Sequence, residues 1–359
     1  MDFEETQDEP YNPEDVPGTH PIEGVAPGAG GGPYPEHAKR PRRSAWRMVL
    51  WIMLALSVIA NFFLFVILIV AAVFFAAGQK DFFAENVLRK GSFGNKIAII
   101  RVQGIINNRL SNEVREQIRT AAKDNSVKAM IVRTITPGGT VSGSDQIHHE
   151  ITRFRAETDK PVVAFMQSIA ASGGYYTSVA CDKIIAEPTV ITGSIGVMSN
   201  HLVIKELLED KLGISAVVVK SGPKKNWPSL FEETTDEQKQ YLMDKLISPT
   251  YERFVGLVND GRSMLTESEV RELADGSIYG AAEALDKHLI DQIGYLDEAI
   301  ALAESLAGIE NAQVIEYERP FSLASVFSVR ARSSIWNFDT DALREMAVPQ
   351  LLYLWDANW

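Results

Sequence analysis

The sequence predicts an α/β protein built on a parallel β-sheet and preceded by one membrane-spanning helix. From Lys96 onward, short apolar runs alternate with segments whose apolar residues have helical spacing. That alternation is typical of strand–helix–strand units with right-handed crossovers. Before this region the chain carries no charge from Met48 to Gln79. About 20 apolar residues are enough for a helix to cross a bilayer.

The first 38 residues are predicted to be a disordered acidic tail. Nine acidic residues and no Lys or Arg lie between Asp2 and Glu36, and the stretch from Pro27 to Pro35 contains only Pro, Gly, Ala and Tyr. Such a segment buries too little apolar surface to offset the entropy lost on ordering. A solvated tail is the simpler interpretation, and a partner-binding tail is the alternative.

A basic juxtamembrane segment, residues 39–47, separates the tail from the predicted transmembrane helix, residues 48–79. Trp46 and Trp51 suit the membrane interface. The apolar run is too long for a signal-peptide core and has no obvious small-residue cleavage site in the right frame. Because positive charge precedes the span, we expect a cytoplasmic amino terminus, a single pass through the plasma (inner) membrane and an extracytoplasmic domain. Residues 80–95 are predicted to be a linker.

The region after the linker contains recognisable strands and helices. The predicted strands are Ile97 to Val102, Lys128 to Ile135, Pro161 to Met166, Lys183 to Ile191 and Ile214 to Lys220. Apolar residues of two intervening helices are Val114, Ile118 and Ala121 in the first, and Ile147, Ile151 and Phe154 in the second. Beyond these the chain is mainly helical, with capping-box spacing at Thr235 with Gln238 and at Thr266 with Glu269.

Composition argues against several classes of function. The formal net charge of −12 disfavours nucleic acid as a partner, because phosphate binding needs clustered Lys and Arg. Cys181 is the only cysteine, so an intramolecular disulfide or a thiolate metal cluster cannot form. The sequence also lacks an H-E-x-x-H motif and a phosphate-binding loop. We therefore predict neither a metal nor another cofactor.

Two sharp turns follow predicted strands, and one of them contains a candidate nucleophile. They are Thr136 to Gly139 and Ala170 to Tyr176. Ligand crevices in open α/β sheets lie at the carboxyl ends of strands, so Ser172 could project its hydroxyl into one. Adjacent glycines let backbone N–H groups approach a developing oxyanion. Ala170 occupies the first glycine position of G-x-S-x-G, so the hydrolase elbow does not apply.

A nucleophilic serine needs a base, and lysine is a better candidate here than histidine. His148, His149, His201 and His288 have no acidic partner that the sequence identifies. A lysine can act as a base once desolvation lowers its pKa, since only roughly 0.04% of an ordinary lysine is neutral at pH 7. The segment from Lys220 to Asn226 contains three lysines, Lys220, Lys224 and Lys225, and composition does not choose among them.

Residues 96 to about 305 resemble the signal peptide peptidase A family in its short single-domain form. Four motifs in family-like order carry the resemblance: Pro-Gly-Gly at 137–139, Ser-Gly-Gly-Tyr-Tyr at 172–176, Thr-Gly-Ser-Ile-Gly-Val at 192–197, and Lys-Ser-Gly at 220–222 followed by Lys225. The resemblance implies a crotonase/Clp protease-like fold of repeated βαβ units with a parallel sheet and carboxyl-terminal helices. It places the protease domain at residues 96–305.

The resemblance also assigns roles to individual residues. Ser172 matches the nucleophile, Lys225 the general base, and Ser194 a serine that orients the lysine. The Gly173 N–H, with that of Gly138 or Gly139, matches the oxyanion hole. The sequence departs from the family pattern at Thr136, where serine is frequent, and at Asn226, where an acid is common. Asp145 is expected to be a surface acid, and Tyr175 and Tyr176 to be packing residues.

The implied function is hydrolysis of cleaved signal peptides through an acyl-enzyme in a ring-shaped homo-oligomer, with other membrane or extended peptides as further candidate substrates. Lys225 could then act within its own chain or across a subunit interface. A non-catalytic membrane scaffold is the alternative, although it has no need of Ser172, Lys225 and Ser194 together. An acyl-CoA enzyme of the crotonase type is disfavoured by the extracytoplasmic topology and by the lack of an evident paired-carboxylate site.

The carboxyl-terminal extension, residues 306–359, departs from the α/β pattern from about Pro320. It is rich in large apolar residues: Trp336, Leu351, Leu352, Tyr353, Leu354, Trp355 and Trp359. Three hypotheses remain open for this segment. It could pack against a neighbouring subunit, contact the membrane surface, or occupy the substrate groove as an autoinhibitor.

Overall fold

The computed structural model describes residues 45–78, 83–319 and 350–355. Some predictions fall on residues outside these ranges. They are the acidic tail, the basic segment up to residue 44, the start of the linker, and the carboxyl-terminal extension at residues 320–349 and 356–359, including Trp336 and Trp359. The chain divides into two compact units, Met1–Ile69 and Val70–Trp359.

One long apolar helix, α1, spans Ala45–Gly78. Its Ala45–Val73 portion is long and apolar enough to cross a membrane, and its described side chains are exposed to the surroundings. The helix begins three residues before the uncharged run, at the end of the basic segment. A membrane-length helix whose described apolar side chains are exposed is what the uncharged run predicts.

The second unit contains twelve β-strands and eight further α-helices within the described residues. The strands are β1 (Ala84–Arg89), β2 (Ser92–Gln103), β3 (Val127–Thr136), β4 (Gly138–Thr140), β5 (Val162–Ala171), β6 (Lys183–Ala186), β7 (Ile191–Gly193), β8 (Met198–Asn200), β9 (Ile278–Gly280), β10 (Gln292–Ile293), β11 (Ala312–Glu318) and β12 (Gln350–Leu354). The helices are α2 (Asn108–Lys123), α3 (Val141–Thr158), α4 (Gly173–Ser178), α5 (Asp236–Leu242), α6 (Ser248–Gly261), α7 (Glu267–Leu273), α8 (Ala281–Asp286) and α9 (Leu296–Ala307), with π-helical turns at Leu207–Lys211 and Met243–Ile247.

The main sheet confirms the predicted parallel α/β class. Its order is β1-β11-β2-β3-β5-β6-β10, and every neighbouring pair from β11 to β10 is parallel. Only β1 joins it antiparallel, at the β11 edge. Strand β7 extends beside the end of β5 and pairs with β9. A second, antiparallel sheet has the order β4-β12-β8.

Alternating residues of the central strands supply two apolar layers. Ala98 and Ile100 of β2 face the layer that contains α2 and α3, which bury Val114, Ile118, Ile147, Ile151 and Phe154 there. Ile97 and Ile99 face the opposite layer, which contains α9. Burying each large aliphatic side chain contributes about 1.5–3 kcal/mol, so both faces of the central strands stabilise the sheet. The helical faces predicted from apolar spacing are confirmed.

One predicted strand does not form. Residues Ile214 to Lys220 are rich in β-branched residues, but they have no strand partner among the described residues. Val217 and Val219 are 87% and 96% exposed. Strand propensity reflects packing against neighbouring strands, and this segment has no such neighbour within the described ranges. The two capping boxes, by contrast, are confirmed at Thr235 and Thr266, which begin α5 and α7.

An ion pair between Arg262 and Asp291 links the end of α6 to the sheet. Asp291 accepts from the Arg262 guanidinium and the Ile184 N–H, both at 2.8 Å. Burial opposes ionisation of Asp291, but the hydrogen bond and charge of Arg262 outweigh it and lower the pKa of that carboxyl. Asp291→Asn should reduce the free energy of unfolding at pH 7 by about 1–3 kcal/mol, because a buried guanidinium loses its partner.

The pH dependence of this stabilisation follows from the lowered pKa. The contribution of Asp291 is present above its unfolded pKa near 4 and is lost as the pH falls through the folded pKa. Urea unfolding followed by circular dichroism should therefore show the parent and variant converging as the pH falls below about 4. Asp286→Asn, at an exposed position of the adjoining helix, is the control and should behave like the parent. A constant difference between parent and variant down to about pH 2 would contradict the assignment.

Candidate functional site

Three turns meet at the carboxyl ends of the sheet strands and form the candidate site. Strand β3 runs into the turn at Pro137 and then β4, strand β5 runs into Ser172, and β7 runs into Ser194. Because β5 and β7 are parallel, with Ala171 opposite Gly193, the serines that follow these residues emerge side by side. Ser172 and Ser194 line the same cavity of about 310 Å³.

Ser172 adopts a strained backbone conformation. It has φ 52° and ψ −111°, outside the regions that non-glycine residues usually occupy. Such conformations cost about 1–3 kcal/mol and persist only when the surroundings impose them. Here the Ser172 N–H donates to the Gly193 carbonyl at 2.8 Å, and its carbonyl accepts from the Tyr176 N–H at 2.8 Å. These bonds hold a buried serine in a sharp strand-to-helix turn.

Ser194 is held in a similar way. It has φ 48° and donates its backbone N–H to the Ser277 carbonyl at 2.7 Å, next to strand β9. The preceding Gly193 has φ 82°, and a Cβ at that position would lie 2.9 Å from the Ser277 carbonyl oxygen. The glycine therefore permits the close approach of the β7 and β9 chains that sets the position of Ser194.

The predicted oxyanion-hole glycines lie against one another. Gly138 has φ 104°, and a Cβ there would lie 2.8 Å from the Gly173 backbone nitrogen, so only glycine fits. The Gly138 N–H donates to the Thr136 hydroxyl at 3.0 Å. This bond occupies the Gly138 donor, which leaves Gly139 as the better candidate to accompany Gly173. Thr136 keeps the hydroxyl of the serine that it replaces in the motif, and that hydroxyl orders the turn.

Lys225 does not line the cavity of Ser172 and Ser194. It is exposed, in a turn where its N–H donates to the Gly222 carbonyl at 3.1 Å, and its amine has no partner among the described residues. The other two lysines are engaged locally. Lys220 donates to Asn226 at 2.8 Å, and Lys224 lies 4.5 Å from the Tyr241 ring centroid. Of the three lysines, Lys225 is thus the one whose amine is left available by the described contacts.

His148 lies on α3 and does not line the cavity of Ser172 and Ser194. Its ring packs against the Tyr176 ring, with ring centroids 5.4 Å apart. Burial lowers the pKa of His148 to about 4, against the opposing charge of Asp145. The imidazole is therefore neutral at physiological pH. Its packing agrees with the expectation, drawn from the sequence, that the histidines are poor candidates for the base.

A polar cluster around Tyr176 was not anticipated from the sequence. The Tyr176 hydroxyl donates to Asp145 at 2.6 Å, and Arg253 donates to the same carboxylate at 2.6 and 2.9 Å. Burial opposes ionisation of Asp145, but these bonds prevail and lower the pKa of its carboxyl. Asp145 therefore joins α3, α4 and α6, a role that the expectation of an ordinary surface acid missed. Tyr175 and Tyr176 are buried packing residues, as expected.

Strand β12 was also not predicted, and it reaches the site from the carboxyl-terminal extension. It pairs antiparallel with β4 on one side and β8 on the other, and its Leu354 lines the cavity of Ser172 and Ser194. The apolar composition of residues 351–355 was the only sequence signal for it.

Comparisons with known proteins agree with this architecture. Residues 155–310 match the family model described as Peptidase family S49. The chain is 35% identical over 245 residues to the "Putative signal peptide peptidase SppA" of Enterococcus faecium. The aligned region covers 65% of this chain and 70% of that protein. It is 37% identical over 226 residues to the "Putative protease slr0021" of Synechocystis sp., and the aligned region covers 63% of this chain and 79% of that protein.

More distant matches extend over other organisms. The "Serine protease SPPA, chloroplastic" of Arabidopsis thaliana is 32% identical over 240 residues, covering 63% of this chain and 35% of that protein. Among solved structures, a ClpP1 mutant from Listeria monocytogenes matches 56% of this chain and 94% of its own, with 16% identity and a TM-score of 0.38.

The fold and these sequence matches together support a serine protease. The chain belongs to peptidase family S49.

Proposed function

We propose that the protein is a membrane-anchored serine endopeptidase that hydrolyses cleaved signal peptides with a Ser172–Lys225 dyad. The observation that carries the proposal is the shared cavity of Ser172 and Ser194, beside the glycine turn of β4. Membership of a peptidase family and the strained, buried serine support it. The name of the Enterococcus faecium relative supports the substrate class.

The proposed reaction begins with proton transfer from the Ser172 hydroxyl to the neutral amine of Lys225. The Ser172 oxygen attacks the scissile carbonyl carbon, and the carbonyl oxygen becomes an oxyanion bound by the N–H groups of Gly173 and Gly139. When the C–N bond breaks, the Lys225 ammonium gives its proton to the leaving amine, and an acyl-enzyme remains. Water then loses a proton to Lys225 and attacks the ester carbonyl; as the bond to the Ser172 oxygen breaks, the Lys225 ammonium returns that proton to Ser172, and the acid product leaves. Ser194 orients the lysine amine.

We propose that assembly of several copies of the chain completes the dyad of Ser172 and Lys225. Lys225 is exposed in a single chain and does not reach the Ser172 cavity. A neighbouring copy in a homo-oligomeric ring could place its Lys225 in this cavity and bury the amine there, which supplies the desolvation that a lysine base requires. The alternative within one chain is a rearrangement of residues 214–226, which have few partners among the described residues.

The anchor in this proposal is α1. Its length, its apolar surface and the basic residues before it support a single crossing of the plasma (inner) membrane with a cytoplasmic amino terminus. The protease domain would then lie on the extracytoplasmic side. Substrates left in the bilayer after signal-peptide cleavage would be within its reach.

The test uses the full chain, reconstituted in vesicles that contain a cleaved signal peptide with a fluorophore and quencher. We expect hydrolysis of the free signal peptide and none of the same segment inside a folded protein. A correctly assembled chain that leaves every peptide intact, also after removal of residues 350–359, would overturn the proposal in favour of a non-catalytic scaffold. Equal hydrolysis of folded and extended substrates would overturn the substrate class.

A further inference from the structure

Asn61 is a polar residue close to the centre of the apolar helix α1. The membrane-length portion of this helix, Ala45–Val73, has 29 residues, so Ile59 is its midpoint. At about 1.5 Å of rise per residue, Asn61 lies about 3 Å beyond that midpoint. Each edge of a hydrocarbon core lies about 15 Å from its centre, which is farther than the short asparagine side chain reaches. In a helix that crosses a membrane, the carboxamide of Asn61 therefore stays within the hydrocarbon.

The carboxamide of Asn61 is only partly satisfied by its own helix. Its Nδ2 donates to the Ser57 carbonyl, one turn earlier, at 2.8 Å and lies 3.5 Å from the Ser57 hydroxyl. A carboxamide has two N–H donors and an acceptor oxygen, and the described contacts leave the Asn61 Oδ1 without a donor. Because an unpaired polar group in an apolar medium is costly, polar side chains of membrane helices commonly hydrogen-bond to a neighbouring helix.

Most leucines of α1 lie on the same face as Asn61. The helix contains five leucines, and four of them share with Ser57 and Asn61 a line of positions spaced alternately four and three residues apart. The isoleucines, valines and phenylalanines of Ala45–Val73 all lie off this line. Such spacing is the core pattern of a left-handed coiled coil, here sustained over three heptads. The members of this leucine stripe are Leu50, Leu54, Ser57, Asn61, Leu64, Leu68 and Ala71.

A second copy of the chain is the partner that fits the leucine stripe. Among the described residues, α1 is the one helix long and apolar enough to cross a membrane, so a helical partner in the bilayer comes from another molecule. Copies of one chain insert in the same orientation, so two stripes run parallel and place Asn61 opposite Asn61. A carboxamide is its own complement, because it carries both donors and an acceptor. A single asparagine at a core position also fixes the register of two coiled helices.

We propose that two copies of the chain associate inside the membrane through the leucine stripe of α1, with their Asn61 carboxamides hydrogen-bonded to each other. This interface lies in the membrane-spanning helix and is separate from the ring proposed for the protease domain. It does not depend on the chemistry of Ser172 and Lys225. A ring of protease domains by itself gives no reason for one face of α1 to differ from another.

Cysteine cross-linking tests which face of α1 meets its partner. The full chain, in vesicles of phosphatidylcholine and phosphatidylglycerol, carries either Leu68→Cys, on the leucine stripe, or Val66→Cys, on the opposite face. The native Cys181 is buried, so the parent chain is the blank. Oxidation should form covalent dimers at least about fivefold faster in Leu68→Cys, because side chains on the contact face meet across it. Equal rates, or faster dimer formation in Val66→Cys, would overturn the proposal.

Substitutions of Asn61 test the hydrogen bond itself. In the Leu68→Cys chain, Asn61→Leu should slow dimer formation by roughly 3- to 30-fold, which corresponds to the loss of an interhelical hydrogen bond in a membrane. Leucine keeps α1 helical and makes it more apolar, so failed insertion does not explain a slower rate. Asn61→Gln keeps a carboxamide and should retain most of the parent rate. An unchanged rate in Asn61→Leu would exclude the hydrogen bond.

Two leucines of α1 provide a matched pair of variants. Leu54 and Leu56 are 54% and 58% exposed in the single chain, but only Leu54 belongs to the leucine stripe. In the Leu68→Cys chain, Leu54→Ala should slow dimer formation several-fold, whereas Leu56→Ala should change the rate by less than about twofold. Similar effects of the two variants would contradict the assignment of the stripe as the interface.

The cross-linking results can be separated from those on peptide hydrolysis. A chain that carries Ser172→Ala together with Leu68→Cys should cross-link like the chain with Leu68→Cys alone. If the parent chain hydrolyses no peptide but cross-linking follows the leucine stripe, the peptidase proposal fails and the membrane interface stands. If the chain is an active peptidase and both faces of α1 cross-link equally, the interface fails and the peptidase proposal stands.

Discussion

Ser172→Ala is expected to reduce kcat for signal-peptide hydrolysis by roughly 10⁴–10⁶-fold, the range seen when a serine nucleophile is removed. The variant loses the hydroxyl that the structure places at the turn between β5 and α4, beside the glycines of β4. Binding should persist, because the substitution removes only the Ser172 hydroxyl. The measurement is single-turnover hydrolysis of the fluorogenic peptide, with anisotropy to follow binding.

The matched control is Ser178→Ala, at the end of the same short helix. Ser178 is buried and donates to the Gly174 carbonyl at 2.8 Å, but it does not line the Ser172 cavity. Its removal should cost about 1 kcal/mol of stability and leave kcat within a few-fold of the parent. Full activity in Ser172→Ala would exclude it as the nucleophile. Comparable losses in both variants would point to misfolding of α4 rather than to chemistry.

Lys225→Met is expected to have the second largest effect, a fall in kcat of roughly 10³–10⁶-fold, because serine is a weak nucleophile without its base. Methionine keeps much of the side-chain length and removes the amine. Lys224→Met and Lys220→Met are the controls, since both amines already have local partners. Each control should retain activity within a few-fold. If Lys224→Met or Lys220→Met is the inactive variant instead, the base is misassigned.

Mixing two inactive chains decides where Lys225 acts. Co-assembled Ser172→Ala and Lys225→Met chains should regain part of the activity if the lysine comes from a neighbouring copy, because some cavities then combine an intact serine with an intact lysine. No recovery in proven mixed oligomers would place the dyad within one chain. This experiment follows from the exposure of Lys225 and its absence from the cavity of its own chain.

Local sequence patterns predicted the sheet well, and for identifiable reasons. The strands β2, β3 and β5 are buried on both faces and read as short continuous apolar runs, whereas helices α2 and α3 carry single apolar stripes with helical spacing. The same logic failed at residues 214–220, where three consecutive valines have no neighbouring strand within the described part of the chain. Strand formation depends on a partner, which local pattern does not reveal.

The sequence by itself determined the α/β class and the apolar helix. Its motifs also identified Ser172, Ser194 and the turn glycines as candidate site residues. These features are encoded over a few adjacent residues, by charge, periodicity and glycine placement. Only the tertiary structure decided that Ser172 and Ser194 share a cavity, because the β5–β7 register joins residues 22 positions apart. It also decided that Tyr353 lies among Tyr176, Phe254 and Thr250. Contacts over such separations depend on how strands pair and helices pack, so no local pattern contains them.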